Sequence, residues 1–143
     1  MAIKQLSVFL ENRAGRLWEL TDAMGKAGVN IRALSIGETP DFGVVRMIVN
    51  DPDQAVKKLA EAGFTAKETD VLAVEIPDVP GGLGSVLGAL KDAGINIEYA
   101  YAFVARSGEN AIVSMRVEDA AAGEKALSAA GFSMVDSEKL YTL

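Results

Sequence analysis

The sequence predicts an α+β protein in which one βαββαβ unit occurs twice. Residues 11–31 align without a gap on residues 77–97, at an offset of 66 that relates Gly15 to Gly81. Residues 51–64 align on residues 119–132, at an offset of 68 that relates Asp51 to Asp119. In both copies, segments with the apolar period of a strand and segments with the apolar period of a helix follow each other in the same order. A repeat this short buries its apolar face against its copy, so we expect two like modules that face each other with any ligand held between them.

The elements of the first repeat follow from its apolar pattern. Residues 4–10 alternate as a strand, and a glycine-bearing loop over residues 11–15 leads into a helix with three- and four-residue apolar spacing. Gly28 ends this helix, because the residue after a helix favours the left-handed region that glycine reaches freely. Strands follow, and a second helix begins with an N-cap aspartate and a proline. The predicted strands are residues 30–36, 44–49 and 65–68, the predicted cap is Asp51, and Gly63 ends the second helix.

The second repeat reproduces these elements. Gly94 and Gly131 end its two helices, Asp119 caps the second helix, and residues 113–117 repeat a strand with period two. Such a unit with right-handed crossovers gives a four-stranded antiparallel sheet with two helices on one face, the ferredoxin-like plan. We therefore predict two domains, residues 1–70 and residues 71–143.

The junction and the C-terminus carry two further predictions. Residues 65–76 contain no Gly, Pro or Ser, so we expect rigidly coupled modules. Residues 139–143 align on residues 71–75, which predicts an extra strand that pairs with a sheet edge. Bare sheet faces and edges must be covered, and two-fold association is the commonest way to cover them, so we expect a homodimer.

The composition excludes several classes of function. The chain has no Cys and no His, which rules out disulfides, thiolate nucleophiles, imidazole bases and Cys/His metal sites. A net charge of −6 argues against a nucleic-acid partner, because such proteins concentrate Lys and Arg. No apolar run approaches the roughly 18 residues of a membrane span, and the N-terminus has no signal-peptide core. We expect a cytoplasmic protein with no metal, cofactor or membrane association.

The strongest candidate site is the loop that precedes the first helix of each repeat. A glycine-bearing turn at a helix start leaves unpaired N–H groups and the positive end of the helix dipole exposed, which suits a carboxylate or phosphate. The alternative is an ordinary helix start with a local turn residue. Residues 12–17 and 78–83 supply the candidates Asn12, Arg13, Ala14, Gly15, Arg16, Leu17, Asp78, Val79, Pro80, Gly81, Gly82 and Leu83.

Further candidates follow the glycine that ends each first helix. Asn30 with Ile31, and Asn96 with Ile97, occupy equivalent positions, where Asn either contacts a ligand or only bonds its own backbone. No spacing gathers the remaining acid and base groups into a catalytic site. The segment over residues 80–84 is not a Walker loop, because no Gly-Lys-Ser/Thr follows it.

With these motifs in order, the chain resembles the ACT-domain family, specifically small bacterial proteins made of two ACT domains. The resemblance rests on the N/D-x-x-G-x-L loops at Asn12 and Asp78, the segments AGVNI and AGINI that follow them, the V-x-M-x-V strands and the AGF endings. It implies a regulatory module that binds an amino acid at an interface between domains, with contacts from both loops and from Asn30 and Asn96. The first loop departs from the family pattern at Ala14, where the second has Pro80.

The primary hypothesis is therefore a non-enzymatic amino-acid sensor. The alternatives are a small acylphosphatase-like hydrolase on the same fold and a ligand-free scaffold for a protein partner. We also expect unequal sites, because the first loop places Arg13 and Arg16 beside Asn12 whereas the second places the anion Asp78 there. The identity of the amino acid does not follow from the sequence, since a few pocket side chains set that choice.

Overall fold

The chain divides into two compact units, which a computed structural model describes over residues 3–107 and 110–141. The first unit comprises Lys4–Thr69, and the second comprises Asp70–Tyr141 together with Ile3. The elements in chain order are β1 (Ile3–Glu11), α1 (Arg16–Lys26), β2 (Ile31–Glu38), β3 (Phe42–Val49), α2 (Pro52–Glu61), β4 (Ala66–Pro77), α3 (Gly82–Asp92), β5 (Ile97–Ser107), β6 (Asn110–Val117), α4 (Ala120–Ala129), β7 (Ser133–Met134) and α5 (Ser137–Tyr141).

The first unit is an antiparallel sheet with both helices on one face. β3 lies between β2 and β1 and pairs antiparallel with each. The start of β4 lies beside β1, where Lys4 Nζ is 3.1 Å from Glu68 Oε2. Every second residue of the strands packs against the apolar faces of α1 and α2. This follows from the two-residue period of side chains in a strand and the 3.6-residue period in a helix. The core residues are Leu6, Val8, Leu10, Leu20, Met24, Val29, Val45, Met47, Val49, Ala55, Leu59 and Phe64.

The second unit repeats this plan around β4. That strand pairs antiparallel with β6 and with β7, and β6 pairs with β5. The helices α3 and α4 cover the same face of the sheet. The core residues are Leu72, Val74, Ile76, Val86, Leu90, Val113, Met115, Val117 and Leu127. The predicted ferredoxin-like plan with two helices on one face is thus confirmed.

The junction between the repeats is one continuous strand. The predicted strand over residues 65–68 was too short, because β4 runs for 12 residues from Ala66 to Pro77. The absence of Gly and Pro lets a single extended segment serve as the last strand of one repeat and the first strand of the next. The prediction that β2 begins at Asn30 was wrong by one residue, since the strand starts at Ile31.

The C-terminal segment forms a helix, so the prediction of a strand over residues 139–143 was wrong. The backbone N–H of Lys139 donates to Asp136 Oδ1 at 2.8 Å, which is an N-cap hydrogen bond. Leu140 on this short helix is fully buried. The N-cap aspartate therefore indicates the structure of this segment correctly, whereas its alignment with the β4 segment does not. Thr142 and Leu143 lie outside the described residues.

Both α1 and α3 begin from the same tight turn. The N–H of Arg16 donates to the carbonyl of Arg13 at 3.3 Å, and the N–H of Gly82 donates to that of Val79 at 3.0 Å. The third residue of each turn is a glycine, with φ of 84° at Gly15 and 83° at Gly81. A positive φ at the third position together with this hydrogen bond is typical of a type II turn, which favours proline at the second position. Pro80 occupies that position in the second unit, and Ala14 occupies it in the first.

The turn geometry makes Ala14→Pro a stabilising substitution. Proline at the second position of a type II turn lowers the entropy of the unfolded chain, and the free energy of unfolding should rise by about 0.4–1 kcal/mol. The matched change Pro80→Ala should lower it by a similar amount. Urea unfolding measures both values. A loss of stability in Ala14→Pro would contradict the type II geometry of the first turn.

Leu140 of the helical tail is fully buried. Leu140→Ala should lower the free energy of unfolding by about 2–5 kcal/mol, the usual cost of a buried leucine truncated to alanine. Lys125→Ala, at an exposed position of α4, is the control and should change it by less than about 0.5 kcal/mol. Thermal unfolding followed by circular dichroism measures both. Equal melting of the two variants would contradict a packed tail.

Candidate functional site

The loop between β1 and α1 borders a cavity of about 170 Å³ within the first unit. The cavity lies where β1 ends, where the β2–β3 hairpin turns and where α1 begins. Its lining combines apolar side chains with charged ones. The lining residues are Leu10, Glu11, Asn12, Arg13, Leu17, Ile36, Glu38, Gly43 and Val45.

Asn12 fixes the position of this loop. Its side-chain Nδ2 donates to the carbonyl of Thr39 at 3.1 Å, and its backbone N–H donates to the carbonyl of Asp41 at 2.9 Å. Both acceptors belong to the β2–β3 hairpin, so Asn12 ties the loop to that hairpin. The amide oxygen Oδ1 has no hydrogen-bond partner among the described residues. Asn12 therefore has a structural role through Nδ2, and its Oδ1 is an unused acceptor among the described residues.

The charges of the first loop are arranged around Glu11. Its carboxylate Oε2 lies 3.0 Å from Arg16 Nε and 3.6 Å from Arg13 Nη2. A hydrogen bond from its own backbone N–H, together with the charges of Arg16 and Arg13, lowers the pKa of Glu11. Glu11 thus remains an anion at neutral pH on the wall of the cavity.

Arg16 is directed away from the cavity. Its Nη1 donates to Glu19 Oε2 at 2.8 Å, and its guanidinium lies 4.5 Å from the ring centroid of Phe64. The hydrogen bond to Glu19 is the main reason that the pKa of Arg16 is raised. Arg13 lines the cavity and has a 56% exposed side chain, whereas that of Arg16 is only 18% exposed. Of the two predicted arginines, the structure places only Arg13 beside the candidate site.

The helices of the first unit begin in two different ways. Asp51 caps α2, and its Oδ1 accepts the N–H of Gln54 at 3.2 Å. The N-cap of α1 is Gly15, so no side chain accepts the amides of its first turn. Ala14 is exposed beside it. The start of α1 thus has no side-chain cap, and Leu17 in its first turn lines the cavity.

The second loop has the same backbone with different side chains. Gly81 is the N-cap of α3, which also has no side-chain cap, whereas α4 is capped by Asp119. A Cβ at Gly82 would collide with the carbonyl oxygen of Pro77, so this position accepts only glycine. In the first unit the equivalent residue is Arg16. The side chains of the remaining candidates in this loop are exposed, namely Asp78, Val79, Pro80 and Leu83.

Asn30 and Ile31 lie at the other end of the sheet. The backbone N–H of Asn30 donates to Asn50 Oδ1 at 2.9 Å, which joins the start of β2 to the end of β3. Ile31 packs against the core, and five residues separate it from Ile36 in the cavity wall, about 16 Å along a strand. Within the first unit the structure therefore does not bring Asn30 and the first loop together.

The equivalent residues of the second unit have similar positions. Asn96 is exposed just before β5, and Ile97 pairs with Val117 and packs against the core of that unit. Ile97 therefore has a packing role there. The structure shows no hydrogen bond from the Asn96 side chain within the described residues.

Sequence reasoning missed the part of the cavity that the hairpin supplies. Ile36, Glu38, Gly43 and Val45 all line it, yet the sequence pattern marks none of them as a candidate. Their approach to the loop depends on the register Leu10↔Gly43 and Ile36↔Val45 between strands. The one signal available was an acidic residue, Glu38, two positions after Ile36 at the end of a strand.

Across residues 3–107 and 110–141, no group of three or more His, Cys, Asp or Glu side chains is placed to hold a metal ion. None of the helices in that same part of the chain is both long enough and apolar enough to cross a membrane.

Comparisons with known proteins agree with this architecture. A protein from Bacteroides thetaiotaomicron with a known crystal structure is 40% identical, with a TM-score of 0.93 over 100% of this chain and 98% of that one. The ligand-free regulatory subunit of aspartate kinase from Thermus thermophilus is 22% identical, with a TM-score of 0.66 over 90% of this chain and 92% of that one. The same subunit from Thermus flavus is 18% identical, with a TM-score of 0.58 over 90% and 93%.

The two aspartate kinase structures share the fold of this chain. No curated protein matches it significantly. The profile of one family, the ACT domain pair, matches residues 1–143. The match covers the whole chain, as the loops, helix ends and strand pattern of the two repeats predicted. This chain is therefore a member of the ACT domain pair family.

Proposed function

We propose that this ACT domain pair is a regulatory, non-catalytic module that binds a free amino acid at the first loop. The observation that carries the proposal is the cavity of about 170 Å³ that borders an uncapped helix start. Groups of both charges and an apolar wall surround this cavity. A zwitterion with an apolar side chain complements all three features.

The start of α1 is the proposed position of the ligand carboxylate. The first amides of a helix have no partner within the helix, and the helix dipole adds a partial positive charge. In α2 the carboxylate of Asp51 fills the corresponding place. At α1 that place is open, because Gly15 has no side chain. Arg13 adds a full positive charge at the cavity wall.

The acidic residues of the lining are the proposed partners of the ligand ammonium group. Glu11 and Glu38 both line the cavity, and the lowered pKa of Glu11 keeps that carboxylate ionised. Asn12 Oδ1 is a further acceptor. The apolar wall would contact the ligand side chain, and the size of the cavity is below the roughly 300–1,000 Å³ of drug-sized sites. The apolar wall residues are Leu10, Leu17, Ile36 and Val45.

The regulatory part of the proposal rests on the family and on the neighbours of similar fold. Structures described as regulatory subunits of aspartate kinase share this fold, and one of them is described as ligand-free. A ligand that binds one conformation better than others shifts the equilibrium towards it, and a module of this kind signals in that way. An interface position for the ligand stays a prediction of the family resemblance.

The charged groups do not favour the acylphosphatase-like alternative. That function requires an arginine free to hold a phosphoryl group beside an asparagine. Arg16 is bonded to Glu11 and Glu19, and Arg13 lies beside Glu11 as well. Asn12 uses its donor on Thr39.

Isothermal titration calorimetry against the twenty amino acids tests the proposal. One of them should bind the first unit, and Gly15→Ala should weaken it, because a side chain at φ 84° strains the turn that presents the amides. Gly25→Ala is the matched control on the same helix. Neither added Cβ meets an atom within 4 Å, and only Gly15 has a positive φ, so the two changes differ in backbone strain alone. The control should leave affinity unchanged.

Charge variants locate the site within the chain. Arg13→Gln should weaken binding about 1.5–5-fold, the effect of one exposed ion pair, and salt should reduce the difference. The matched change in the second loop is Val79→Gln at the equivalent position, which should have no effect on this site. Millimolar or weaker binding of all twenty amino acids by the wild type would refute the sensor proposal.

The lowered pKa of Glu11 predicts a stability loss in acid. A group whose pKa is lower in the folded state stabilises the fold above its unfolded pKa, about 4.3 for Glu. That contribution disappears as the pH falls through the lower folded pKa. Glu11→Gln should therefore destabilise the protein at pH 7 and match the wild type at pH well below 4, as measured by urea unfolding. A constant difference at every pH would contradict an ionised, stabilised Glu11.

A further inference from the structure

The sheet of the first unit has an exposed apolar region on the face that points away from its helices. Phe9 lies between Val8 and Leu10 of the core, so its side chain points to this other face. Phe9 is 52% exposed, and Phe42 on β3 is 60% exposed. Both border a depression of about 580 Å³, and exposed apolar surface of this kind marks an interaction site. The residues that line this outer depression are Phe9, Gly37, Glu38, Thr39, Phe42, Gly43, Val44 and Arg46.

The equivalent face of the second sheet is buried. Ile112, at the position equivalent to Val44, is fully buried. Its neighbour across the strands, Glu75, has its Oε1 3.0 Å from Lys139 Nζ on α5, so that helix reaches this face. The first unit has no counterpart of α5, because β4 leads directly into the second unit. The repeated face is thus covered in the second unit and open at the outer depression of the first.

The two ends of the outer depression are complementary to each other. Arg46 lies at one end, whereas Phe42 and Glu38 lie at the other, beside the β2–β3 hairpin. Phe42 and Arg46 are about 13 Å apart along β3, and Val44 lies halfway between them. A guanidinium is attracted both by the face of an aromatic ring and by a carboxylate. The cationic end of one copy therefore suits the aromatic and acidic end of a second copy.

We propose that the outer depression is the interface of a homodimer whose two-fold axis crosses β3 at Val44, at right angles to the strand. This axis exchanges the two ends of the depression, so each Arg46 lies opposite Phe42 and Glu38 of the other copy. The axis also keeps each β1 opposite the other β1, which brings the two Phe9 rings together as an aromatic pair. The contact requires no amino acid, so the proposal does not depend on the function proposed above.

Sedimentation velocity of the full chain, without added amino acid, tests the proposal. The wild type should be a dimer at about 100 µM, a concentration at which an interface of micromolar affinity is occupied. Phe42→Ala should raise the dissociation constant at least about tenfold, because each dimer loses two aromatic contacts. Phe42 is exposed, so the circular dichroism spectrum of the variant should match that of the wild type. A monomeric wild type, or a dimer that Phe42→Ala leaves unchanged, would overturn the proposal.

Charge variants test the two-fold arrangement. Arg46→Glu places a carboxylate opposite Glu38 of the second copy, so the dissociation constant should rise at least about tenfold, and salt should reduce the difference. Lys57→Glu makes the same change in net charge at an exposed position of α2 and should leave dimerisation unchanged. The double variant Arg46→Glu with Glu38→Arg exchanges the two charges and should recover part of the lost affinity. An equal loss in Arg46→Glu and Lys57→Glu, or no recovery in the double variant, would overturn the proposal.

Discussion

A glycine in the left-handed region begins the first helix of each unit, and the position of the candidate site depends on this constraint. Gly15 and Gly81 have φ near 84° because each is the third residue of a type II turn. The same residue is the N-cap, so a helix that starts from this turn has no side chain to accept its first amides. The uncapped helix start and the tight turn are thus one feature of the backbone.

Two of the remaining helices show the alternative within the same molecule. α2 and α4 begin with Asp51 and Asp119, each of which accepts an amide of its first turn. At α1 the uncapped start also borders a cavity with charges of both signs. The start of α1 therefore differs from those of α2 and α4 in both respects.

The sequence predicted features that depend on neighbouring residues. The aspartate caps at residues 51 and 119, the glycines that end the helices and the two-residue period of the strands are local signals, and the structure confirms them. The internal repeat predicted the order of the strands and helices in both units. The tail shows the limit of that argument, because Asp136 caps a helix where the alignment predicted a strand.

The composition of the cavity could not be predicted in the same way. Glu38 and Ile36 reach the first loop only through the register of three strands, and no local pattern encodes that register. The direction of the Arg16 side chain could not be predicted either, because it depends on the contact with the Phe64 ring, which follows the end of α2. Residue type and spacing identified the loop, whereas tertiary packing decided which of its side chains face the cavity.

The central claim is that an amino-acid carboxylate takes the place of the missing cap at α1. The most direct measurement is the change in backbone amide ¹H and ¹⁵N shifts when the bound amino acid is added. The amides of Leu17 and Trp18, in the first turn of α1, should move strongly, because they gain a charged acceptor. The amide of Gln54 should stay in place, because Asp51 already occupies it. Movement at Gln54, or none at Leu17 and Trp18 on saturation with the amino acid, would contradict the claim.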